Sequence, residues 1–208
     1  MPRIRPVPES EATAKVERTY SRVKELLGAA EVPEPFLAYG SVPTFLQDFF
    51  MNFKRFVYED GKLDARTKAV LALAVSAREG CDAWIDYFTR RALQLGLKQE
   101  QVADIFAVSS ANAMYNVFFK FRDICGSDLF SGLPVGLRAH TFGNTSLDEK
   151  TVELINTVIS DLNACKPCTS GHVDAARRLG ISDEAILEAV QCAATVVAGT
   201  SFLKAAGC

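Results

Sequence analysis

The sequence predicts an all-α protein, a two-lobed helical bundle built from an internal repeat. Three observations carry that reading. Apolar residues recur at helical spacing along most of the chain, and no stretch alternates with the period of a strand. At an offset of 84, residues 63–120 align with 147–204 without a gap, and eleven of the 58 pairs are identical. Ordinary composition would give roughly one match in sixteen. Leu63-Asp64 with Thr67 answers Leu147-Asp148 with Thr151, Cys81 answers Cys165, and Leu95-Gly96 answers Leu179-Gly180. Phe118 with Lys120 answers Phe202 with Lys204.

Each copy reads as three helices. In the second, Val152, Ile155, Val158, Ile159 and Leu162 share a helical stripe. The segment from Asn163 to Pro167 interrupts it, and Pro167 suits a first helical turn. The next helix carries His172, Ala175, Ala176 and Leu179 and stops at Gly180, a good residue just past a helix end. Ser182-Asp183-Glu184 starts the third, which continues through Ile186, Ala189, Val190, Ala193 and Val197. The first copy repeats the plan near 64–79, 82–95 and 99–121. Ahead of it the pattern predicts a polar amphipathic helix near 9–28 and an aromatic-rich helix near 43–58, separated by Pro33-Glu34-Pro35. The expected organisation is an N-terminal helical extension over 1–60, a first repeat over 61–122, a glycine-rich link over 123–146 and a second repeat over 147–208.

A chain of 208 residues with 49% hydrophobic and 23% charged residues can bury a substantial core. Its net charge of −2 argues against nucleic acid and anionic membrane surfaces as partners. Met1-Pro2-Arg3-Ile4-Arg5 leads into a charged stretch, so no signal peptide is expected. No apolar run approaches the ~18 residues expected of a bilayer span. The predicted compartment is the cytoplasm, where thiols stay reduced. Six cysteines there read as buried, catalytic or metal-binding. Cys81, Cys125, Cys192 and Cys208 are scattered, and only Cys165 and Cys168 form a local motif.

Cys165-Lys166-Pro167-Cys168 puts two thiols three residues apart at a helix start, where modest adjustment could close a disulfide. The positive end of the helix favours thiolate, but its contribution of ~0.3–1 kcal/mol is less than one pKa unit, ~1.4 kcal/mol. A nearby base is therefore needed. His172, four residues after Cys168, projects from the same face, beside Ala175 and Ala176. Glu153 sits ~15 Å above the inter-helix turn and His172 ~11 Å, close enough for a carboxylate to orient an imidazole. Helical phase nevertheless groups Glu153 with Thr157 and Ser160 on the polar side of its helix, which reads as a solvated surface. Two plainer readings of the dithiol stay open: inert buried thiols, or half a zinc site, although zinc commonly takes four ligands and no second CxxC exists. In the first copy the positions equivalent to Glu153, Cys165, Cys168 and His172 are Ala69, Cys81, Trp84 and Phe88, so that copy reads as catalytically degenerate.

Glu153, eleven intervening residues, Cys165-Lys166-Pro167-Cys168, three more and His172 together resemble the signature of AhpD-type alkylhydroperoxidases, in the carboxymuconolactone decarboxylase-like superfamily. The resemblance runs upstream through Tyr115-Asn116-Val117-Phe118-Phe119-Lys120 and Gly136-Leu137-Arg138 and covers roughly 60–205. It implies thiol-dependent peroxide reduction without haem, flavin or metal. Cys168 would be the peroxidatic thiolate that becomes a sulfenic acid, and Cys165 the resolving thiol and proton donor. His172 and Glu153 would form a proton relay. The implied partners are a small hydroperoxide, an external dithiol (a lipoylated or thioredoxin-like protein), a peroxiredoxin, and further copies of the chain in a homotrimer or homohexamer. Pro167 departs from the pattern, in which a histidine precedes the second cysteine. Two rival functions are a decarboxylase-like enzyme acting on a lactone or small organic acid, and a non-enzymatic redox sensor.

Overall fold

The structure, a computed structural model, describes residues 3–207; Met1, Pro2 and Cys208 lie outside that range. All regular structure among the described residues is helical. In chain order the helices are α1 (Ala14–Leu27), α2 (Glu34–Tyr39), α3 (Pro43–Asn52), α4 (Ala65–Glu79), α5 (Asp82–Gln94), α6 (Gln99–Ile124), α7 (His140–Gly143), α8 (Glu149–Leu162), α9 (Lys166–Arg178) and α10 (Asp183–Ala206).

Local chemistry sets the starts of the long helices. Asp64 and Asp148 accept from the backbone N–H groups of Thr67 and Thr151, at 2.7 and 3.0 Å, and Ser182 accepts from Ala185 N at 3.2 Å. Each bond satisfies a donor that a helix start otherwise leaves bare. The starts of α4, α5 and α6 fall 84 residues before those of α8, α9 and α10.

Packing crosses between the two sets. α4 pairs with α5 and α8 with α9, but α10 lies on α4 while α6 lies on α8 and α9. The third helix of each set therefore covers the first helix of the other. Two carboxylates fasten this exchange. Glu188 of α10 accepts from Leu63 N at 2.8 Å, and its counterpart Asp104 of α6 accepts from Ser146 N at 2.7 Å.

The N-terminal region departs from expectation in three places. The helix expected from residue 9 begins only at Ala14, because Glu9 turns back to accept from Val32 N at 2.9 Å and pair with Lys24. Pro33-Glu34-Pro35 does not merely separate helices; it opens α2, with proline in the first turn where no N–H is missed. The helix expected over 43–58 is α-helical only to Asn52 and continues as a π-helical turn, Phe53–Tyr58. Near that wide turn the carbonyls of Arg55 and Glu59 accept from Lys68 Nζ, at 3.0 and 2.7 Å.

The membrane expectation also needs correction. α10 is long and apolar enough, by length and composition, to cross a bilayer. It lies at the centre of the bundle, packed on α4, α8 and the π turn, and a helix covered on several sides becomes apolar nearly all round.

The aromatic residues of α2, α3 and α5 form one layer over the end of α10. Trp84 and Phe88 stack with ring centroids 5.2 Å apart, Phe36, Phe49 and Phe53 lie within 5.9 Å of Trp84, and Trp84 Nε1 donates to the Tyr39 hydroxyl at 2.9 Å. Gly199 makes the approach possible: a Cβ there would stand 2.7 Å from both Phe49 and Tyr39.

Candidate active site

α8 and α9 run antiparallel from the turn at Asn163-Ala164, which brings Glu153 and His172 level. His172 Nδ1 lies 2.8 Å from Glu153 Oε2, with both side chains largely shielded, 26% and 19% exposed. The solvated-surface reading of Glu153 is overturned. Its companions Thr157 and Ser160 are wholly buried. The polar side of α8 faces α6, so its polarity marks a hydrogen-bonded interior.

Cys165 stands at the N-cap of α9, completely buried, and its carbonyl accepts from Thr169 N and Thr169 Oγ1, at 2.8 and 3.0 Å. Cys168, in the first turn, is half-buried. The two sulfurs are bonded and their Cα atoms are 5.3 Å apart, within the ordinary disulfide span. Among the described residues no group of three or more His, Cys, Asp or Glu side chains is placed to hold a metal.

Cys168, His172 and Glu153 border one cavity of about 480 Å³, which Cys165 does not line. Gly171 and Ala175 leave room on the α9 side. The opposite wall is α6, through Asn112, Tyr115 and Phe119, and Phe142 of α7 closes one edge. Tyr115 OH donates to Leu137 O at 2.8 Å, tying the link to that wall. Tyr115 stacks on Phe119 and packs against Phe142, each pair with centroids 6.0 Å apart. The lining is apolar except at the reacting groups, Asn112 and the tyrosine hydroxyl, and no arginine or lysine is part of it.

Sequence reasoning did not single out these wall residues. Tyr115 and Phe119 fall inside a run noted for its resemblance, without a role. Phe142 carries no signal, because its position depends on how the link folds over α6. The ladder Asn112, Asn116 and Ser160 was also missed, although asparagines one turn apart on an otherwise apolar helix were a legible hint.

The equivalent cleft on α4 and α5 is closed. Trp84 and Phe88 stand where Cys168 and His172 do, and Gly199, the counterpart of Tyr115, admits Tyr39 and Phe49 of the N-terminal helices. Of the remaining described cysteines, burial raises the Cys81 thiol and pushes Cys192 up to about 12. Cys125 is half-buried; Cys208 lies outside the described residues. His140 opens α7 and is exposed, away from the cavity lining.

The turn before Cys165 holds Ala164 at φ 51°, in the left-handed region. That conformation costs a non-glycine residue about 1–2 kcal/mol. The counterpart is Gly80, at φ 65°.

Comparison with known proteins gives consistent findings. The carboxymuconolactone decarboxylase family profile matches residues 46–120 and 130–208. An alkyl hydroperoxide reductase AhpD from Azorhizobium caulinodans is 27% identical over 171 residues, spanning 80% of this chain and 91% of that protein. Another from Corynebacterium kroppenstedtii is 31% identical over 124 residues, 60% of this chain and 70% of that one. A crystal structure described as a gamma-carboxymuconolactone decarboxylase subunit from Burkholderia xenovorans superposes with a TM-score of 0.57, covering 92% of this chain and 96% of that one. At 17% identity that likeness concerns the fold alone.

Proposed function

The chain belongs to the carboxymuconolactone decarboxylase family, and from that premise we propose that it is a thiol-dependent hydroperoxide reductase of the AhpD type. The observation that carries the reading is the shared cavity: an accessible Cys168 beside an imidazole whose other side is held by a partly buried carboxylate.

A neutral His172 donating from Nδ1 to Glu153 leaves Nε2 free as a base on the cavity side. That base favours the Cys168 thiolate, which attacks one oxygen of the substrate O–O bond. The alcohol leaves, taking a proton, and Cys168 becomes a sulfenic acid. The Cys165 thiol condenses with it, forming the disulfide and releasing water. An external dithiol, from a lipoylated or thioredoxin-like protein, then reduces the disulfide. The net change is hydroperoxide plus dithiol to alcohol, water and disulfide. Cys165, buried behind Cys168, suits the resolving role because peroxide meets Cys168 first.

The decarboxylase-like alternative draws less support. A lactone bearing carboxylates needs cationic partners, and this cavity offers a glutamate and no arginine or lysine. Assembly into a homotrimer or homohexamer is part of the same proposal. It is supported by an apolar stripe on α6, where Met114, Val117, Phe121 and Ile124 are 40%, 67%, 45% and 71% exposed.

The deciding experiment offers tert-butyl hydroperoxide and hydrogen peroxide with dihydrolipoamide, thioredoxin or glutathione, following peroxide loss and intact mass. Cys168→Ser abolishes turnover, and Cys165→Ser accumulates a dimedone-reactive sulfenic acid. Turnover that survives Cys168→Ser overturns the assignment.

A further inference from the structure

The turn before Cys165 carries a polar grip built from different partners than the turn before Cys81. Each turn is held by a lysine from the third helix of the other set. Lys120 Nζ donates to Asn163 O at 2.9 Å, and Lys204 Nζ donates to Glu79 O at 3.0 Å. Beyond that shared bond the turns differ in kind: in the first copy the Glu79 carboxylate pairs with Lys204 Nζ at 2.9 Å and with Arg78, whereas the second copy uses a neutral amide. Asn163 Oδ1 accepts from Arg78 Nε and Nη2, at 3.1 and 2.9 Å, and the same Nη2 donates to Leu162 O at 3.0 Å. Asn163 Nδ2 donates to Asn116 Oδ1 at 3.0 Å, and Asn116 donates to Ser160 Oγ at 3.0 Å. In the first copy Thr200 stands for Asn116 and bonds within its own helix, to Val197 O. Gly80 takes the left-handed conformation freely, whereas Ala164 takes it under strain.

We propose that Arg78 and Asn163 are positioning residues for the dithiol, holding the strained Ala164 turn so that Cys165 stays within bonding reach of Cys168. The proposal rests on reading that pair as redox-active. In the reduced state only the chain joins the two sulfurs, and an unrestrained turn would relax toward right-handed backbone and carry Cys165 away. Gripping Asn163 raises the effective concentration of one sulfur at the other, which favours disulfide over dithiol. Arg78 and Asn163 neither gain nor lose bonds in the step.

The test is equilibration with dithiothreitol, followed by alkylation and intact mass. The Cys165 and Cys168 thiols give two electrons and two protons to oxidised dithiothreitol and become the disulfide. Asn163→Ala shifts this equilibrium about tenfold toward the dithiol, a rise of about 30 mV for a two-electron couple. Arg78→Gln shifts it in the same direction and serves where Asn163→Ala does not fold. Lys204→Met removes both the shared bond and the Glu79 ion pair from the thiol-free turn and leaves the potential unchanged while lowering the melting temperature. Unchanged potentials in the folded variants, or an equal shift in Lys204→Met, overturn the proposal. No peroxide enters this measurement. A wild type that consumes peroxide beside variants of unchanged potential sinks only the grip; one that never turns over peroxide sinks the reductase reading and leaves the grip testable.

Discussion

Glu153 and His172 meet at 2.8 Å across two antiparallel helices, a carboxylate from the second turn of α8 against an imidazole from the middle of α9. The contact occupies Nδ1, so Nε2 is the ring nitrogen that the proposed mechanism uses as the base for Cys168. Glu153→Gln keeps the shape and removes the charge, so the imidazolium formed during turnover loses its partner. The expected outcome is a fall of about a hundredfold in kcat/KM for hydroperoxide, typical for impairment of a positioned acid–base group. Stopped-flow peroxide consumption measures it, with circular dichroism to show an intact fold.

The aromatic wall predicts substrate preference. Phe119, Phe142 and Tyr115 offer apolar surface to the organic part of a hydroperoxide and little to hydrogen peroxide. Phe119→Ala is expected to lower kcat/KM for cumene hydroperoxide about tenfold, in line with ~1–3 kcal/mol for small losses of apolar contact. Hydrogen peroxide turnover should change less than about twofold. Parallel kinetics with the two substrates separates this from general damage, which would lower both.

The Lys68–Glu188 pair predicts an acid-sensitive core. Lys68 is wholly buried and its Nζ lies 2.9 Å from Glu188 Oε1. Burial by itself raises the Glu188 pKa, but the bonds from Lys68 and the Leu63 N–H outweigh it and hold the group below its ordinary 4.5. A carboxyl depressed in the native state stabilises the fold fully above its unfolded value. That stabilisation is lost as pH falls from about 4.5 through the native value. Glu188→Gln leaves a buried ammonium without its charge partner and should cost about 3–5 kcal/mol at pH 7. Urea midpoints measured from pH 7 to pH 3 should show a shallower acid limb in the variant.

The stripe on α6 predicts assembly. The equivalent face of α10 carries Ala198, Ser201 and Ala205, small residues suited to water, whereas α6 presents Met114, Val117, Phe121 and Ile124. Val117→Glu should place a charge in the contact and convert the oligomer to monomer. Light scattering after size exclusion reads the mass directly, and a wild-type monomer would remove the stripe from any such role.

Much of the fold was legible because it follows from short-range rules. The Ser182 start, the break at Asn163 and the period-3.6 stripes each depend on residues a few positions apart. They placed the starts of the six long helices of the repeat within three residues of those observed. The π-helical turn was not legible, since the widened turn is bound up with Lys68, distant in sequence, donating to the carbonyls of Arg55 and Glu59. Glu153 was misread for a related reason. Helical phase sorts residues by polarity, and polarity stands for solvent only when no polar neighbour packs there; Asn112 and Asn116 of α6 do.

The sequence by itself determined the helices, the placement of two cysteines one turn apart, and the histidine on the face of Cys168, because each is a matter of spacing along a single helix. Only the tertiary structure decided that α6 crosses to cover α8 and α9, that Tyr115, Phe119 and Phe142 wall the cavity, and that Tyr39 and Phe49 of the N-terminal helices join Trp84 and Phe88 in the matching cleft. Those outcomes depend on which surfaces meet, and burial is a property of the assembled whole that no local pattern encodes.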